Sequence, residues 1–269
     1  VAMNRAILTE QHIAEALSFA QQAVRGGGEM ALRYFRQKLA VDNKLSKGSF
    51  DPVTQADRDV EAYLREELTR YCPDFGVIGE EDGATPGTTD INWIVDPIDG
   101  TKAFISGFPT WGILVGLQQE DRVLAGLMYQ PATGELFYGS AAGAFLENKG
   151  QTLAMQSRQN VRLEEALLYC THESMFANQG NLEAFRRISG KARLQRFGGD
   201  CYSYCMLALG QVDLVVEDTL QPYDIVPLIP IIEAAGGVIT DADGKTPIGG
   251  GFVVAAANKE LHEEVMALL

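Results

Sequence analysis

One stretch constrains the fold more than any other: residues 93–104, "WIVDPIDGTKAF". An apolar run of strand character ends in two acids, Asp96 and Asp99, which bracket Pro97 and lead into Gly100 and Thr101. The chain leaves the core at a strand end, so one polar residue there is ordinary. Two carboxylates across a proline turn are not. They set negative charge and the backbone N–H groups of a turn at one corner.

The flanking pattern supplies elements to build around that corner. Ile13, Leu17, Ala20 and Val24 recur at helical spacing, and Met30, Leu32 and Phe35 continue it beyond Gly26-Gly27-Gly28. Glycine weakens a helix by roughly 1 kcal/mol per residue relative to alanine, which predicts a kink or break there. A second helix is predicted near Asp57, in "ADRDVEAYLREEL", with Val60, Leu64 and Leu68 on one face. Between the two, "NKLSKGSFDPVTQ" has the polar, turn-rich composition of a mobile loop.

From Phe75 to Ala144 the segments "FGVIG", "NWIVD", "GILVGLQ", "RVLAGLMY" and "GELFYGS" predict strands. "QPATGE" reads as a hairpin turn, so this first sheet is expected to be largely antiparallel. The second half alternates. Strands are predicted near 167–171, 193–197, in "VDLVVE", near 238–240 and at 252–256, and helices at 181–189, 201–209, 225–235 and from Asn258. The expectation is an α+β chain of two layered subdomains, 1–150 and 151–269.

Composition narrows the function. The 269 residues suffice for one large domain or two joined halves, and 46% hydrophobic with 22% charged residues is ordinary for a globular protein. No apolar run reaches the length of about 18 residues that a membrane span needs. The start, Val-Ala-Met-Asn, lacks a basic segment followed by an apolar one, so no signal peptide is expected. A net charge of −14 disfavours nucleic acid and anionic lipid as partners. Cys72, Cys170, Cys201 and Cys205 form no CxxC pair, and His12, His172 and His262 no HExxH pattern. Reduced thiols and a cytoplasmic location are the expectation.

The acids gather at turns. Asp57 opens a helix, Glu80 and Glu81 end "FGVIGEE", and Asp224 precedes an apolar helix in "PYDIVPLIPIIEAAGG". Singly, each has a plainer reading: Asp57 and Asp224 as helix N-caps worth about 1 kcal/mol, Glu80-Glu81 as a solvated strand end. Together, the repeated apolar strand followed by an acid points to one shared site. Clustered carboxylates repel unless a cation lies between them, and hard cations such as Mg²⁺ take oxygen ligands. The Asp96–Asp99 spacing lets Asp96 bridge two ions, with the Ile98 carbonyl toward one and Asp99 toward the other. A helix starting at Gly100-Thr101 offers N–H groups to a phosphate. That combination belongs to phosphoryl transfer or hydrolysis.

"WIVDPIDGTKAFIS" resembles, position for position, the first signature of the inositol monophosphatase family of magnesium-dependent, lithium-sensitive phosphatases. Tyr223-Asp224 with Gly236-Gly237 resembles the second, and "DPVTQAD" and "GEE" match the elements between, so the motifs cover residues 47 to 237 in order. The resemblance implies a layered α-β-α-β-α sandwich with a largely antiparallel first sheet, a mixed second sheet and a homodimeric assembly. It assigns Glu80, Asp96 and the Ile98 carbonyl to a first metal, and Asp96, Asp99 and Asp224 to a second, with two to three Mg²⁺ in all. Glu80 and Thr101 would position and deprotonate the attacking water, Asp57 would support Thr101, and Gly100 and Thr101 would bind phosphate.

Two departures stand out: Tyr223 where many members have Trp, and Ile225-Val226-Pro227 after the aspartate. With "RFGGDCYSYCMLALGQVDLVVE" and "FISGFPTWGILVGL" they look more like the histidinol-phosphatase branch. Glu217, seven residues before Asp224, falls where the family contacts the organic part of its substrate, and Asp200 in "FGGD" is a second candidate beside Asp99. Asp200 also reads as a helix N-cap before Cys201. Lys47 reads either as a phosphate contact or as a solvated lysine. The leading expectation is hydrolysis of L-histidinol phosphate, whose amine and imidazole suit carboxylates. Its rivals are a broader inositol- or sugar-phosphate phosphatase and a regulatory binding protein on the same scaffold.

Overall fold

A computed structural model describes residues 8–37, 41–43 and 52–269. Most of the loop expected over 43–55, Lys47 included, lies outside the described residues. The chain begins with α1 (Glu10–Tyr34), β1 (Val41–Asn43), β2 (Pro52–Thr54) and α2 (Gln55–Tyr71). Next come β3 (Gly76–Gly79), β4 (Gly83–Thr85), β5 (Ile91–Asp99), α3 (Thr101–Ser106), β6 (Gly112–Gln119) and β7 (Arg122–Gln130). Three further strands follow: β8 (Glu135–Ser140), β9 (Gly143–Asn148) and β10 (Gln151–Ala154). The second half runs β11 (Leu167–Cys170), α4 (Gln179–Ser189), β12 (Leu194–Phe197), α5 (Asp200–Ala208) and β13 (Leu214–Leu220). It closes with α6 (Pro222–Ile225), α7 (Ile229–Ala234), β14 (Val238–Asp241), β15 (Gly251–Ala256) and α8 (Lys259–Met266).

An eight-stranded sheet takes the order β10-β9-β8-β7-β6-β5-β3-β4, antiparallel except where β3 lies parallel to β5. A five-stranded mixed sheet takes the order β12-β11-β13-β15-β14. Side-chain alternation turns these sheets into layers. On β5, Ile91, Trp93 and Val95 face α1 and α2, with Val24, Val60 and Leu64 opposite. Ile94, on the other face, meets α5 to α7 and the inner face of the second sheet, including Tyr204, Ile229, Val215 and Val253. The outer face of the second sheet, with Leu168, Leu214 and Val254, is covered by Phe185 of α4 and Leu261 of α8. The result is an α-β-α-β-α sandwich, as the resemblance implied.

Two helical expectations are corrected. α1 runs unbroken through Gly26-Gly27-Gly28. A Cβ on Gly28 would lie 2.6 Å from the Tyr129 ring, and one on Gly27 would touch Leu64 and Val60 at 3.4 Å. Close packing against α2 and the sheet therefore offsets the lost propensity. The helix expected over 225–235 is instead α6, a 3₁₀ turn at Val226–Leu228 and α7. Pro227 and Pro230 lack N–H groups, so one α-helical ladder cannot pass through them.

This broken segment sits close to the first sheet because glycines make room for it. Gly116, Gly126 and Gly139 stand side by side on β6, β7 and β8. A Cβ on Gly126 would collide with the Pro227 carbonyl, and one on Gly139 would come within 2.5 Å of the Pro230 carbonyl oxygen. The glycine row thus draws α6, with Asp224, down toward β5.

Candidate active site

Alternation along β5 puts Asp96 on the inner face, where it is 1% exposed. Regular alternation would then turn Asp99 to the opposite face, three residues on. A bulge prevents this. Asp96 pairs with Leu114 and Asp99 with Gly112, so β5 fits one extra residue between them. Ile98 drops into the outer core beside Phe104 and Trp111, while Asp99 returns to the face of Asp96. The Ile98 N–H donates to Asp96 Oδ1 at 3.0 Å, which pins the bulge.

Asp224 reaches the same place from the middle layer. It is the third residue of α6, and its carboxylate accepts the Gln221 N–H at 2.7 Å. Carboxylate oxygens of Asp96, Asp99 and Asp224 lie within 4.8 Å of one another. Glu80 follows β3, whose Gly79 registers with Val95, so it sits beside Asp96. Buried Glu61 of α2 holds the turn after Glu80, accepting the N–H groups of Glu81 at 2.7 Å and Asp82 at 3.0 Å. Asp57, 1% exposed and the third residue of α2, adds its charge to those acting on Asp96. Gly100, at φ +82°, turns the chain into α3, and the Thr101 hydroxyl donates to the Ile98 carbonyl at 3.1 Å.

Electrostatics show what the cluster is suited to hold. Burial, then the charges of Glu80, Asp99, Asp224 and Asp57, hold the Asp96 carboxyl well above the usual carboxylate range. Burial, Asp224 and Asp200 push Asp99 the same way, against the hydrogen bond from Cys201. So many carboxylates cannot all ionise together without a counter-charge. The donors are all oxygens, which suits a hard divalent cation and not a soft metal. The residues therefore fit the metal that the resemblance implies.

Beside the cluster lies a pocket of about 120 Å³, lined by Asp99, Thr171, Asp200, Tyr204, Glu217 and Asp224. Glu217 sits just before a second bulge, where β13 gains a residue on β15 between Glu217 and Leu220. Its carboxylate accepts the Thr171 N–H at 2.7 Å and the Tyr204 hydroxyl at 2.9 Å. Burial pushes its pKa up to about 7 despite those two donors. Asp200 opens α5, with its carboxylate accepting the Thr110 hydroxyl at 3.1 Å. Burial raises its pKa, opposed by Thr110 and by the charge of Lys102. The next N–H, that of Cys201, donates to Asp99 at 2.8 Å.

The structure thus brings Asp96, Asp99 and Asp224 into one tight group, with Glu80 and Asp57 acting on it and Asp200 and Glu217 in the adjoining pocket. Sequence reasoning missed Thr110, Thr171 and Tyr204. Thr110 and Thr171 lie 90 and 46 residues from the acids they serve, and Tyr204, thirteen residues before Glu217, reads as an ordinary apolar position of α5.

A chain-long match settles the kinship: the inositol monophosphatase pattern covers residues 12–269. The chain belongs to the inositol monophosphatase family. It is a metal-dependent phosphoric monoester hydrolase of that family. A bifunctional phosphatase of Arabidopsis thaliana, the chloroplastic IMPL2, is 35% identical over 90% of this chain and 71% of its own. A histidinol-phosphatase of Mycobacterium tuberculosis is 36% identical over 88% of this chain and 91% of its own. The solved inositol monophosphatase of Zymomonas mobilis superposes with a TM-score of 0.82 at 32% identity, covering 98% of this chain and 99% of that one. Among the described residues, no helix is long and apolar enough to cross a membrane.

Proposed function

We propose that the family member described here hydrolyses L-histidinol phosphate to L-histidinol and phosphate, using two to three Mg²⁺ ions. The observation that carries this reading is the pair Asp200 and Glu217, lining one pocket beside Asp99 and Asp224. A leaving alcohol that bears an ammonium group offsets their charge and gains charge-assisted hydrogen bonds. The kinship with histidinol-phosphatases supports the same choice.

In this reading Glu80, Asp96, Asp99, Asp224 and the Ile98 carbonyl hold the ions. A divalent cation there supplies positive charge to the phosphoryl oxygens and makes a water more acidic. Glu80 would accept the proton of the attacking water, and Thr101, whose hydroxyl donates to the Ile98 carbonyl, would position that water through its hydroxyl oxygen, with Asp57 supporting Thr101. The N–H groups of Gly100 and Thr101 orient the phosphate for in-line displacement. Residues 1–150 then carry most of the metal ligands, and residues 151–269 carry Asp224 and the alcohol side. A homodimer in the cytoplasm completes the proposal: Phe108 and Phe197, 66% and 48% exposed, offer apolar surface, and all four cysteines are free thiols.

Phosphate release from histidinol phosphate and inositol 1-phosphate, measured in parallel with and without Mg²⁺, tests the reading. Mg²⁺-dependent preference for histidinol phosphate is expected. A hundredfold preference for the inositol ester would overturn the substrate, because polyol hydroxyls also donate to these carboxylates.

A further inference from the structure

We propose that Thr110, through its hydrogen bond to the Asp200 carboxylate, is the positioning residue that sets the leaving-group selectivity of the pocket. The inference rests on the reading that this pocket receives the leaving alcohol, and it deepens that reading. Asp200 adopts φ +45°, in the left-handed region where non-glycine residues are uncommon. Its backbone is fixed there from two sides. The Asp200 N–H donates to Thr171 Oγ1 at 3.1 Å, and its carbonyl accepts the Ser203 hydroxyl at 2.8 Å. Its side chain packs on Gly100, where an added Cβ would lie 3.0 Å from the Asp200 Cβ and Cγ atoms.

The carboxylate itself is held far more lightly than its backbone. Among the described residues, Thr110 is its one hydrogen-bond donor, whereas the Glu217 carboxylate has two. A competitor is close by: the exposed Lys102 of α3 exerts its charge on Asp200. Thr110 therefore decides whether the carboxylate stays in the pocket or turns toward Lys102. Thr110 sits on the loop between α3 and β6, ahead of the fully buried Trp111, and among the described residues its hydrogen bonds are with Asp200 and Cys201. Removing its hydroxyl alters the alcohol side and takes no hydrogen bond from the acid cluster.

The test compares a cationic ester, histidinol phosphate, with p-nitrophenyl phosphate, whose leaving group has no amine. Thr110→Val is expected to raise KM for the cationic ester about tenfold, the loss of one hydrogen bond to a charged group. Its kcat on that ester, both constants on p-nitrophenyl phosphate and the Mg²⁺-induced rise in Tm should stay as in the wild type. Thr110→Ser restores the KM, and adding Lys102→Met to Thr110→Val recovers part of it. If Thr110→Val does not fold, Thr110→Ala carries the same comparison. An unchanged ratio between the two esters overturns the proposal, as does an equal loss on both with a lost Mg²⁺ response. The wild type alone decides the substrate reading, so a wild type that prefers inositol 1-phosphate sinks that reading separately. The ratio measured with the variant still judges Thr110.

Discussion

Two one-residue bulges, one in each sheet, carry acids to the same cleft, and they treat those acids in opposite ways. At the β5 bulge, Asp96 and Asp99 are set against each other and against Asp224, with oxygens inside 4.8 Å. At the β13 bulge, Glu217 is equally buried but meets neutral donors, an N–H and a phenol. The first site is strained until a cation arrives. The second carboxylate is already satisfied by its two donors, as the proposed recognition of a substrate would need. A carboxylate surrounded by carboxylates marks chemistry that needs an ion, while one surrounded by N–H and O–H groups marks recognition.

Four experiments would break or sharpen that contrast. The largest effect is expected from Asp96→Asn: activity should fall by about three orders of magnitude, as loss of metal assistance commonly costs several kcal/mol. The same change should raise the Tm of the metal-free protein at pH 8, because a buried, repelled charge disappears. It should also erase the Tm gain on adding Mg²⁺, which in the wild type follows from binding to the folded state alone. A metal-free Tm that drops would show that the cluster is not strained.

Gly126→Ala comes next. A Cβ there meets the Pro227 carbonyl, so α6 must lift from the sheet and carry Asp224 away from Asp96. About a tenfold loss of kcat with weaker Mg²⁺ binding by calorimetry is expected, since small misplacements of reacting groups are costly.

Glu217→Gln probes the other bulge and should leave the Mg²⁺ response unchanged while raising KM for a cationic ester. Its effect on stability has a definite sign. Glu217 titrates near 7 in the folded chain and near 4.5 unfolded, so the folded state holds the proton more tightly. Its contribution to stability is complete below about pH 4.5 and is lost as pH rises toward 7. Thermal melts of metal-free wild type should therefore fall more steeply over that window than those of the variant; parallel curves would remove Glu217 from the account.

The smallest effect is expected from Gly100→Ala. Its φ of +82° and its contact with Asp200 should cost about 1–2 kcal/mol in denaturant unfolding.

Much of this was legible in the sequence, for physical reasons. The strands announced themselves through short apolar runs, and the acids at their ends through charge where a core should continue. The layered sandwich followed from the family resemblance. What stayed hidden depends on contacts distant in sequence. The Gly26–Gly28 run reads as a helix breaker until Tyr129 and Leu64 are seen filling the space. The proline turn set Asp96 and Asp99 at one corner, but the bulge that returns Asp99 to the face of Asp96 has no signal in the string beyond Pro97. Asp57 and Asp224 each belong to a first helical turn, so local helix chemistry and the shared cluster coexist at both positions. Nothing in the string singles out Thr110, whose importance comes wholly from a partner ninety residues away.

One peptide link joins the two halves of this chemistry. Asp200 lines the pocket proposed for the alcohol, and the amide that follows it, that of Cys201, donates to Asp99. Inserting or deleting residues at the head of α5 to accommodate a new alcohol would therefore drag Asp99, a proposed ion ligand, along with it. New substrates have to be won by exchanging side chains on a backbone that stays put.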